Sequence, residues 1–260
     1  MNKNISFLWV VFFVGSGSAD PSQSARARPE PTTQPDLDKV SKLIIARTNE
    51  FRTTEKRGQT TENSHLKETA HYFANFMAKT GKYGHDADEQ TPADRASKHG
   101  YKYCLIAENI AYQFRSTAFS MDELAGRFFE GWKKSPGHRK NMLDPDLTET
   151  AVVIARSEST GYYYAVQLFG RPQSLLIDFS VANQSGMEVK YHVGEQDYEL
   201  KPNMIRTHRY PRHLEIVLGA KDAKKELGAA PPMACAFAQG DSFVILLDDG
   251  KLVLKKEGKK

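Results

Sequence analysis

Six short motifs between Gly84 and Phe169 decide the fold of this chain, and they occur in this order: Gly84-His85, Gly100-Tyr101, Glu108-Asn109-Ile110-Ala111, Trp132, Ser135-Pro136-Gly137-His138-Arg139 and Gln167-Leu168-Phe169. Each motif alone is weak evidence for a function. A histidine beside a glycine, for example, is more often a structural residue than a ligand-binding one. The ordered set is far more specific than any of its members. These residues therefore predict a fold and a candidate site, although they do not predict a reaction.

Helical patterns precede and separate these motifs. Asp36 caps a first helix, whose apolar residues recur with a period close to 3.6: Leu37, Val40, Leu43, Ile44 and Phe51. A second helix begins near Asn63, and a short third one opens at Thr91-Pro92, with proline at the first helical position. Ser120 and Glu123 have the spacing of a capping box at the start of a fourth helix.

Strand patterns follow the helices. Residues 151–155 and 162–169 are rich in β-branched and aromatic residues, so they predict a hairpin. Four helices followed by a hairpin imply a sheet with helices packed on it. Beyond Pro172 the chain alternates or runs apolar between turns such as Asp248-Asp249-Gly250. Residues 36–172 and 173–260 therefore predict two domains, the second a small all-β sandwich or barrel without a chemical motif.

The amino-terminal segment predicts export. Residues 1–19 contain Lys3, an apolar run at 7–14 and small residues ending at Ala19, which is typical of a secretory signal peptide. The apolar run is short for a membrane span, which needs roughly 20 apolar residues. A retained anchor is the alternative. Residues 20–35 are rich in Pro, Ser, Arg and Thr and predict a disordered linker. We therefore expect a secreted, periplasmic or extracellular protein.

Composition and charge exclude some functions. The chain is 40% hydrophobic and 26% charged, which is ordinary for a globular protein, and its net charge is only +4. It lacks a basic stripe interleaved with aromatic residues, so nucleic acid is not an expected partner. Its two cysteines, Cys104 and Cys235, fall in different predicted domains, so they form either one bridge between the domains or two free thiols.

Taken together, these motifs make residues 37–172 resemble a CAP domain, the family of cysteine-rich secretory proteins, antigen 5 and pathogenesis-related 1 proteins. The order and spacing resemble the short bacterial-type branch, which lacks the cysteine-rich extensions of larger members. The resemblance covers about half of the chain. It implies an α+β fold, a three-layer α-β-α sandwich, in front of the all-β domain. It also implies a cleft where two histidines and two acidic residues converge.

Carried over motif by motif, the resemblance implies that His85 and His138 are the two histidines and that Glu108 is one acidic residue. At the second acidic position of larger members this chain has Lys134 or Ser135, so Glu130 becomes the candidate for that place. Two imidazoles beside a carboxylate suit Zn²⁺ or another divalent metal. His85 and His138 are accordingly the candidate metal ligands, and no catalytic residue is assigned.

Three functions are compatible with these patterns. The first is a non-enzymatic protein whose cleft binds a metal, or a small ligand, lipid or glycan. The second is a metal-assisted hydrolase of the protease type, in which Glu108 acts as general base with His85 and His138. The third is a cell-envelope interaction protein with a vestigial cleft, in which the β domain binds the partner. We expect the first.

Overall fold

The computed structural model describes residues 34–219 and 233–258. The predicted signal peptide at 1–19 and the linker up to residue 33 lie outside the described residues, so both stay predictions. Within the described ranges, no helix is both long and apolar enough to cross a membrane.

The first part of the chain is a four-stranded sheet between two layers of helices. The helices are α1 (Leu37–Thr54), α2 (Ser64–Thr80), α3 (Pro92–Lys98), α4 (Met121–Lys134) and α5 (Pro136–Leu143). The strands are β1 (Thr61–Glu62), β2 (Tyr103–Gln113), β3 (Glu149–Arg156) and β4 (Tyr163–Pro172). Their order in the sheet is β1-β3-β4-β2. One core cluster joins a face of the sheet to α1, α4 and α5, and a second joins the other face to α2 and α3. This confirms the predicted α-β-α sandwich.

The helix starts follow the expected capping chemistry with one correction. Asp36 accepts from the backbone of Lys39, and Thr91 forms a full capping box with Asp94. Ser120 accepts a hydrogen bond from the Glu123 backbone, as predicted. The Glu123 carboxylate, however, binds Arg115 (Nη1 to Oε1, 2.6 Å), because an arginine side chain is a stronger partner than a backbone amide.

Two elements were missed from the sequence. Ser135 to Gly137 predict a simple turn, but Pro136 opens α5, where its fixed φ suits the first helical position. Strand β2 lacks a clear alternation of apolar and polar residues because both of its faces contribute to a core cluster, Ala107 on one side and Ile110 on the other. It pairs antiparallel with β4 from Tyr103 to Gln113 and is an edge of the sheet.

The remaining described residues form two four-stranded sheets. The strands are β5 (Ile177–Asn183), β6 (Val189–Val193), β7 (Gln196–Leu200), β8 (Ile205–Tyr210), β9 (Glu215–Leu218), β10 (Ala234–Ala236), β11 (Asp241–Asp248) and β12 (Lys251–Lys256). One sheet has the order β10-β9-β6-β7 and the other β12-β11-β5-β8. A single core cluster drawn from both sheets shows that this all-β region is a sandwich. The predicted turn joins β11 to β12, with positive φ at Asp249 (47°) and Gly250 (74°).

The junction of the two regions carries polar contacts rather than core. The core clusters of the α-β-α part and the sandwich share no residue. The division at residues 172 and 173 nevertheless stays a prediction. Cys104 and Cys235 are both free thiols in this structure, the second of the two alternatives.

Candidate functional site

Glu108 lies at the centre of the candidate site as a buried carboxylate. Strand β2 presents it to the α2 and α3 side of the sheet, and its side chain is only 1% exposed. Arg95 of α3 binds both carboxylate oxygens, with Nη2 at 3.0 Å from Oε1 and 2.8 Å from Oε2. A buried carboxylate requires such compensation, because removing an ion from water is costly.

Arg95 is the functional residue that the sequence missed. From the sequence, Arg95 is expected to form exposed ion pairs with nearby carboxylates. In the structure, however, the Arg95 side chain is 0% exposed. Nη1 also binds Asp88 (2.6 Å), and the guanidinium lies over the ring of Phe73 at 3.5 Å from its centroid. Helical periodicity gives no sign of this burial, because α3 has only seven residues. In the sequence, the resemblance to the CAP family includes Arg95 among its matching residues, which is the signal that could have singled it out.

His85 is held by the same carboxylate but stays in contact with solvent. Its Nδ1 is 2.8 Å from Glu108 Oε1, and its backbone carbonyl accepts a hydrogen bond from Arg95 Nη2. The imidazole is 52% exposed. The hydrogen bond to Glu108 raises the pKa of His85 above its ordinary value, although partial burial opposes the change. His85 is thus oriented through one ring nitrogen while the ring remains accessible.

His138 lies near the start of α5, and its backbone carbonyl accepts a hydrogen bond from Asn109. Partial burial lowers the pKa of His138, and the positive charge of His85 lowers it further. The two pKa values are shifted in opposite directions, so His85 is protonated more readily than His138. His85 contacts Glu108 directly, and the backbone carbonyl of His138 is hydrogen-bonded to Asn109, the residue next to Glu108. We call the three candidate residues His85, Glu108 and His138 the cleft group.

Polar side chains fix the backbone around the cleft group. Asn109 donates to the carbonyl of His138 (3.3 Å) and to Gln167 Oε1 (3.1 Å), so it ties β2 to α5 and β4. Asn141 donates to the carbonyl of Glu108 at 3.2 Å. Trp132 Nε1 donates to the carbonyl of Ile110 at 3.3 Å. These bonds also occupy outward carbonyls of the edge strand, which would otherwise be open to pairing with another chain.

Glu130 is not brought into the cleft group. Its side chain is 47% exposed, and its ion pair among the described residues is with Lys133 at 3.9 Å. Trp132, two residues later, points at β2, and two residues turn an α-helix by about 200°. Glu130 therefore faces away from the strand that carries Glu108.

The side chains of the cleft group could supply only a few ligands to a metal ion. Within residues 34–219 and 233–258, no group of three or more His, Cys, Asp or Glu side chains is arranged to hold a metal ion. Glu108 is engaged by Arg95 and by His85. A metal ligand histidine commonly donates its other ring nitrogen to a carboxylate, and His85 with Glu108 has this arrangement. His85 and His138 are thus chemically suitable donors, with Glu108 behind the first of them.

Comparisons with known proteins give the following matches. The profile of the cysteine-rich secretory protein (CAP) family matches residues 45–169. Among solved structures, an outer surface protein of Borrelia burgdorferi is 18% identical, with a TM-score of 0.47, and the match covers 53% of this chain and 96% of that one. An extracellular SCP-domain protein of Bacillus anthracis is 24% identical, with a TM-score of 0.44 and coverages of 52% and 41%.

A third similar structure is a cysteine-rich secretory protein of Staphylococcus aureus. It is 20% identical, with a TM-score of 0.40, and the match covers 51% of this chain and 39% of that one. No curated protein matches the chain. Residues 45–169, which contain the whole cleft group, thus form a domain of the CAP family.

Proposed function

We propose that this protein is an exported CAP-domain protein whose cleft group binds a ligand without catalysing a reaction, and that a divalent metal such as zinc is held there by His85 and His138. One observation carries the proposal. A fully buried Arg95–Glu108 ion pair holds the His85 imidazole, which is itself half exposed. Buried charges stabilise a fold little compared with apolar packing, so this arrangement is better explained by positioning an accessible ring.

The metal part of the proposal rests on the chemistry of the donors. The Nδ1 atom of His85 is occupied by Glu108, which leaves the other ring nitrogen available for a metal. His138 supplies a second imidazole, and its pKa, which partial burial lowers, favours the neutral form that binds metals. Zinc bound in this way would supply a positive centre for a ligand oxygen. With two protein donors, the metal would be completed by water and would exchange readily.

The hydrolase alternative is weakened by the burial of Glu108. A general base must reach the proton that it abstracts, within hydrogen-bond distance or through one water. Glu108 is 1% exposed and both of its oxygens accept from Arg95. Glu108 is therefore better suited to orienting His85 than to activating water.

Export is supported by the predicted signal peptide at residues 1–19. The envelope-interaction alternative, in which the sandwich binds the partner, predicts that replacing cleft residues leaves partner binding unchanged.

The decisive experiment is a calorimetric zinc titration of the mature protein. The variants are His85→Ala/His138→Ala and a matched control, His65→Ala/His71→Ala, which removes two exposed histidines of α2. We expect stoichiometric binding in the wild type and in the control, and none in the cleft variant. Absence of binding in the wild type, or equal binding in all three proteins, would refute the metal part of the proposal.

A further inference from the structure

An exposed patch of aromatic rings lies at the end of the sheet where β2 ends and β4 begins. It consists of Tyr83, Tyr112, Phe114 and Tyr162, which we call the aromatic patch. Tyr83 is 46% exposed, and Tyr112 and Phe114 are each 50% exposed. Single exposed apolar side chains are normal on a protein surface, whereas a contiguous set marks an interaction site.

The rings of the patch are contiguous, but they meet at steep angles. Tyr112 lies between Tyr83 (centroids 5.0 Å apart, planes at 89°) and Tyr162 (5.6 Å, 62°). Phe114 stacks on Tyr162 with 4.8 Å between the centroids, so each ring covers one face of the other. The patch is therefore notched rather than flat. Proline-rich segments in the polyproline II conformation bind to grooves lined by aromatic side chains.

The patch adjoins the His85 and Glu108 side chains of the cleft group. Glu108 and Tyr112 lie four residues apart on β2, so their side chains share one face of the sheet. Tyr83 is two residues from His85, and its hydroxyl donates to the carbonyl of Ile110 at 3.1 Å. A segment that lies on the patch therefore borders the cleft group.

The described part of the chain begins close to the patch. Gln34 is its first residue, and the Gln34 side-chain oxygen accepts a hydrogen bond from the Tyr163 hydroxyl. The Arg156 guanidinium lies over the Tyr163 ring, 5.7 Å from its centroid. A Cβ atom at Gly161 would lie 3.3 Å from Arg156 and 3.6 Å from the Phe114 ring. A series of neighbours thus leads from Gln34 through Tyr163 and Arg156 to Phe114.

The segment that precedes Gln34 has the composition that such a patch binds. Residues 20–33 read DPSQSARARPEPTT, and this composition predicts no structure of its own, as is usual for segments that become ordered on docking. Pro29 and Pro31 are five and three residues from Gln34. At about 3.1 Å per residue, an extended segment carries them about 16 and 9 Å from Gln34. Both prolines are therefore within reach of the nearest rings.

Charges near the other end of the patch complement the arginines of this segment. Asp86 and Glu89 lie in the loop between α2 and α3, and both are exposed. Arg26 and Arg28 are eight and six residues from Gln34, so an extended segment carries them about 25 and 19 Å from it. That is enough to cross the patch, in which neighbouring centroids are at most 5.6 Å apart. The opposite charges favour docking with the arginines at the cleft end.

We propose that residues 20–33 dock on the aromatic patch of the same molecule, with Pro29 and Pro31 against the rings and the two arginines beside the acidic loop before α3. Attachment to the same chain gives the segment a high effective concentration, so weak contacts suffice. The docked segment covers one side of the cleft group, and cleavage by a protease uncovers it. The proposal goes beyond ligand binding in the cleft, and it requires neither the metal nor the ligand.

The test is limited trypsin digestion of the protein that begins at Asp20, with cleavage after Arg26 followed by mass spectrometry. The next residue is Ala27, so this bond is a trypsin site. A free peptide of residues 20–33 gives the cleavage rate of the unprotected segment. Digestion is repeated over a range of protein concentrations, because docking within one molecule does not depend on concentration whereas docking on a second copy does.

Two kinds of variant separate the partners of the contact. Phe114→Ala and Tyr112→Ala each remove a ring, and Pro29→Ser/Pro31→Ser removes the prolines. The proline variant changes no residue of the patch, so it tests the proposal even where a ring variant is unstable. The matched control is Tyr72→Ala, which removes a tyrosine that is 37% exposed outside the patch. Circular dichroism verifies the folding of each variant.

We expect cleavage after Arg26 to be at least about tenfold slower in the wild type than in the free peptide, because a docked segment is cut only when it opens. The ring variants and the proline variant should approach the rate of the peptide, and Tyr72→Ala should keep the wild-type rate. A wild-type rate equal to that of the peptide, or equal protection in all variants, would overturn the proposal. Protection that increases with protein concentration would also overturn it, because the segment would then dock on a second copy of the chain.

Discussion

At the scale of single residues, Glu108 has two partners with opposite surroundings. Arg95 is completely buried, whereas His85 is half in water. Glu108 is thus held by a buried residue, Arg95, and in turn holds the accessible ring of His85. Changes at Glu108 should affect what His85 does more than changes at any exposed acid of the domain.

Replacing Glu108 with Gln should weaken zinc binding by about 10- to 100-fold, because residues that orient a metal ligand have effects of this size. Glu130→Gln is the matched control, since Glu130 faces away from β2 and should leave Kd unchanged. Zinc titration of both variants provides the measurement. A larger effect at Glu130 than at Glu108 would return Glu130 to the cleft group and contradict the assignment made from the structure.

His208 is a second titratable residue with an unusual environment. It lies between the two sheets of the sandwich, stacked on Phe179, and its Nε2 is 2.7 Å from the Tyr191 hydroxyl. Burial lowers the pKa of His208 to about 4, and Arg206 contributes. Because the folded-state pKa is below the unfolded value of about 6.5, the neutral form is favoured in the folded protein. Its stabilising effect is present above pH 6.5 and is lost as the pH falls toward 4.

Urea unfolding between pH 7 and pH 4 should therefore show a loss of stability that depends on His208. The expected contribution approaches about 3 kcal/mol at the acid end. His208→Gln should have a flatter pH profile than the wild type. His71→Gln, a change at an exposed position of α2, should keep the wild-type profile. If stability depended on pH in the same way in the wild type and in His208→Gln, the folded protein would not oppose protonation of His208.

At the scale of elements, two sequence motifs meet where β4 passes the segment before β2. Gly170 leaves room for the ring of Tyr101, and a Cβ atom at residue 170 would overlap the Tyr101 phenol. Tyr101 in turn donates to Glu149 Oε2 of β3 at 2.6 Å. The glycine after the Gln167-Leu168-Phe169 motif and the tyrosine of the Gly100-Tyr101 motif are thus one packing unit.

Gly170→Ala should lower the free energy of unfolding by about 1 to 3 kcal/mol, because a well-packed site must shift to admit the methyl group. Gly131→Ala is the matched control. Residue 131 lies within α4 with nothing near its Cβ direction, so alanine should raise stability by about 0.5 to 1 kcal/mol. Urea denaturation of the two variants and the wild type measures both changes in the free energy of unfolding. Equal stability of Gly170→Ala and the wild type would mean that Tyr101 moves aside freely.

At the scale of the whole molecule, Asp146 joins the α-β-α part to the sandwich. Its side chain is 6% exposed, and Oδ1 accepts from the backbone N–H of His213 at 3.2 Å and lies 2.7 Å from His213 Nδ1. Arg212 lies 2.7 Å from Asp144 and 3.6 Å from Asp146. Arg171 donates to the carbonyl of Asp146 at 3.1 Å. The sandwich is thus attached just beyond α5, the helix that carries His138.

Asp146→Ala should uncouple the two parts, because it leaves several donors at the junction without their acceptor. We expect a loss of about 2 kcal/mol and, in scanning calorimetry, separation of unfolding into two transitions. Glu199→Ala, which removes an exposed ion pair with Lys190 inside the sandwich, should leave the unfolding transition essentially unchanged, because an exposed ion pair contributes little to stability. A single unshifted transition in Asp146→Ala would argue against the predicted division at residues 172 and 173.

The sequence by itself determined the elements whose signals are local. The caps at Asp36, Thr91 and Ser120, the β3–β4 hairpin and the Asp249-Gly250 turn depend on neighbouring residues, and they were predictable for that reason. Resemblance to the family is what places His85, Glu108 and His138 in one cleft at the level of sequence. Periodicity alone would not have brought together residues so far apart in the chain.

Only the tertiary structure decided which charges are buried and what surrounds them. Arg95 could not be recognised as buried, because its burial depends on Phe73, Asp88 and Glu108, three residues from other segments. Strand β2 was missed because both of its faces are packed, so its sequence lacks the alternation of a half-buried strand. The exposed ring of Tyr112 likewise lies on β2, beside Tyr83 from the loop before α3, and a ring is exposed or buried according to what the rest of the chain places over it.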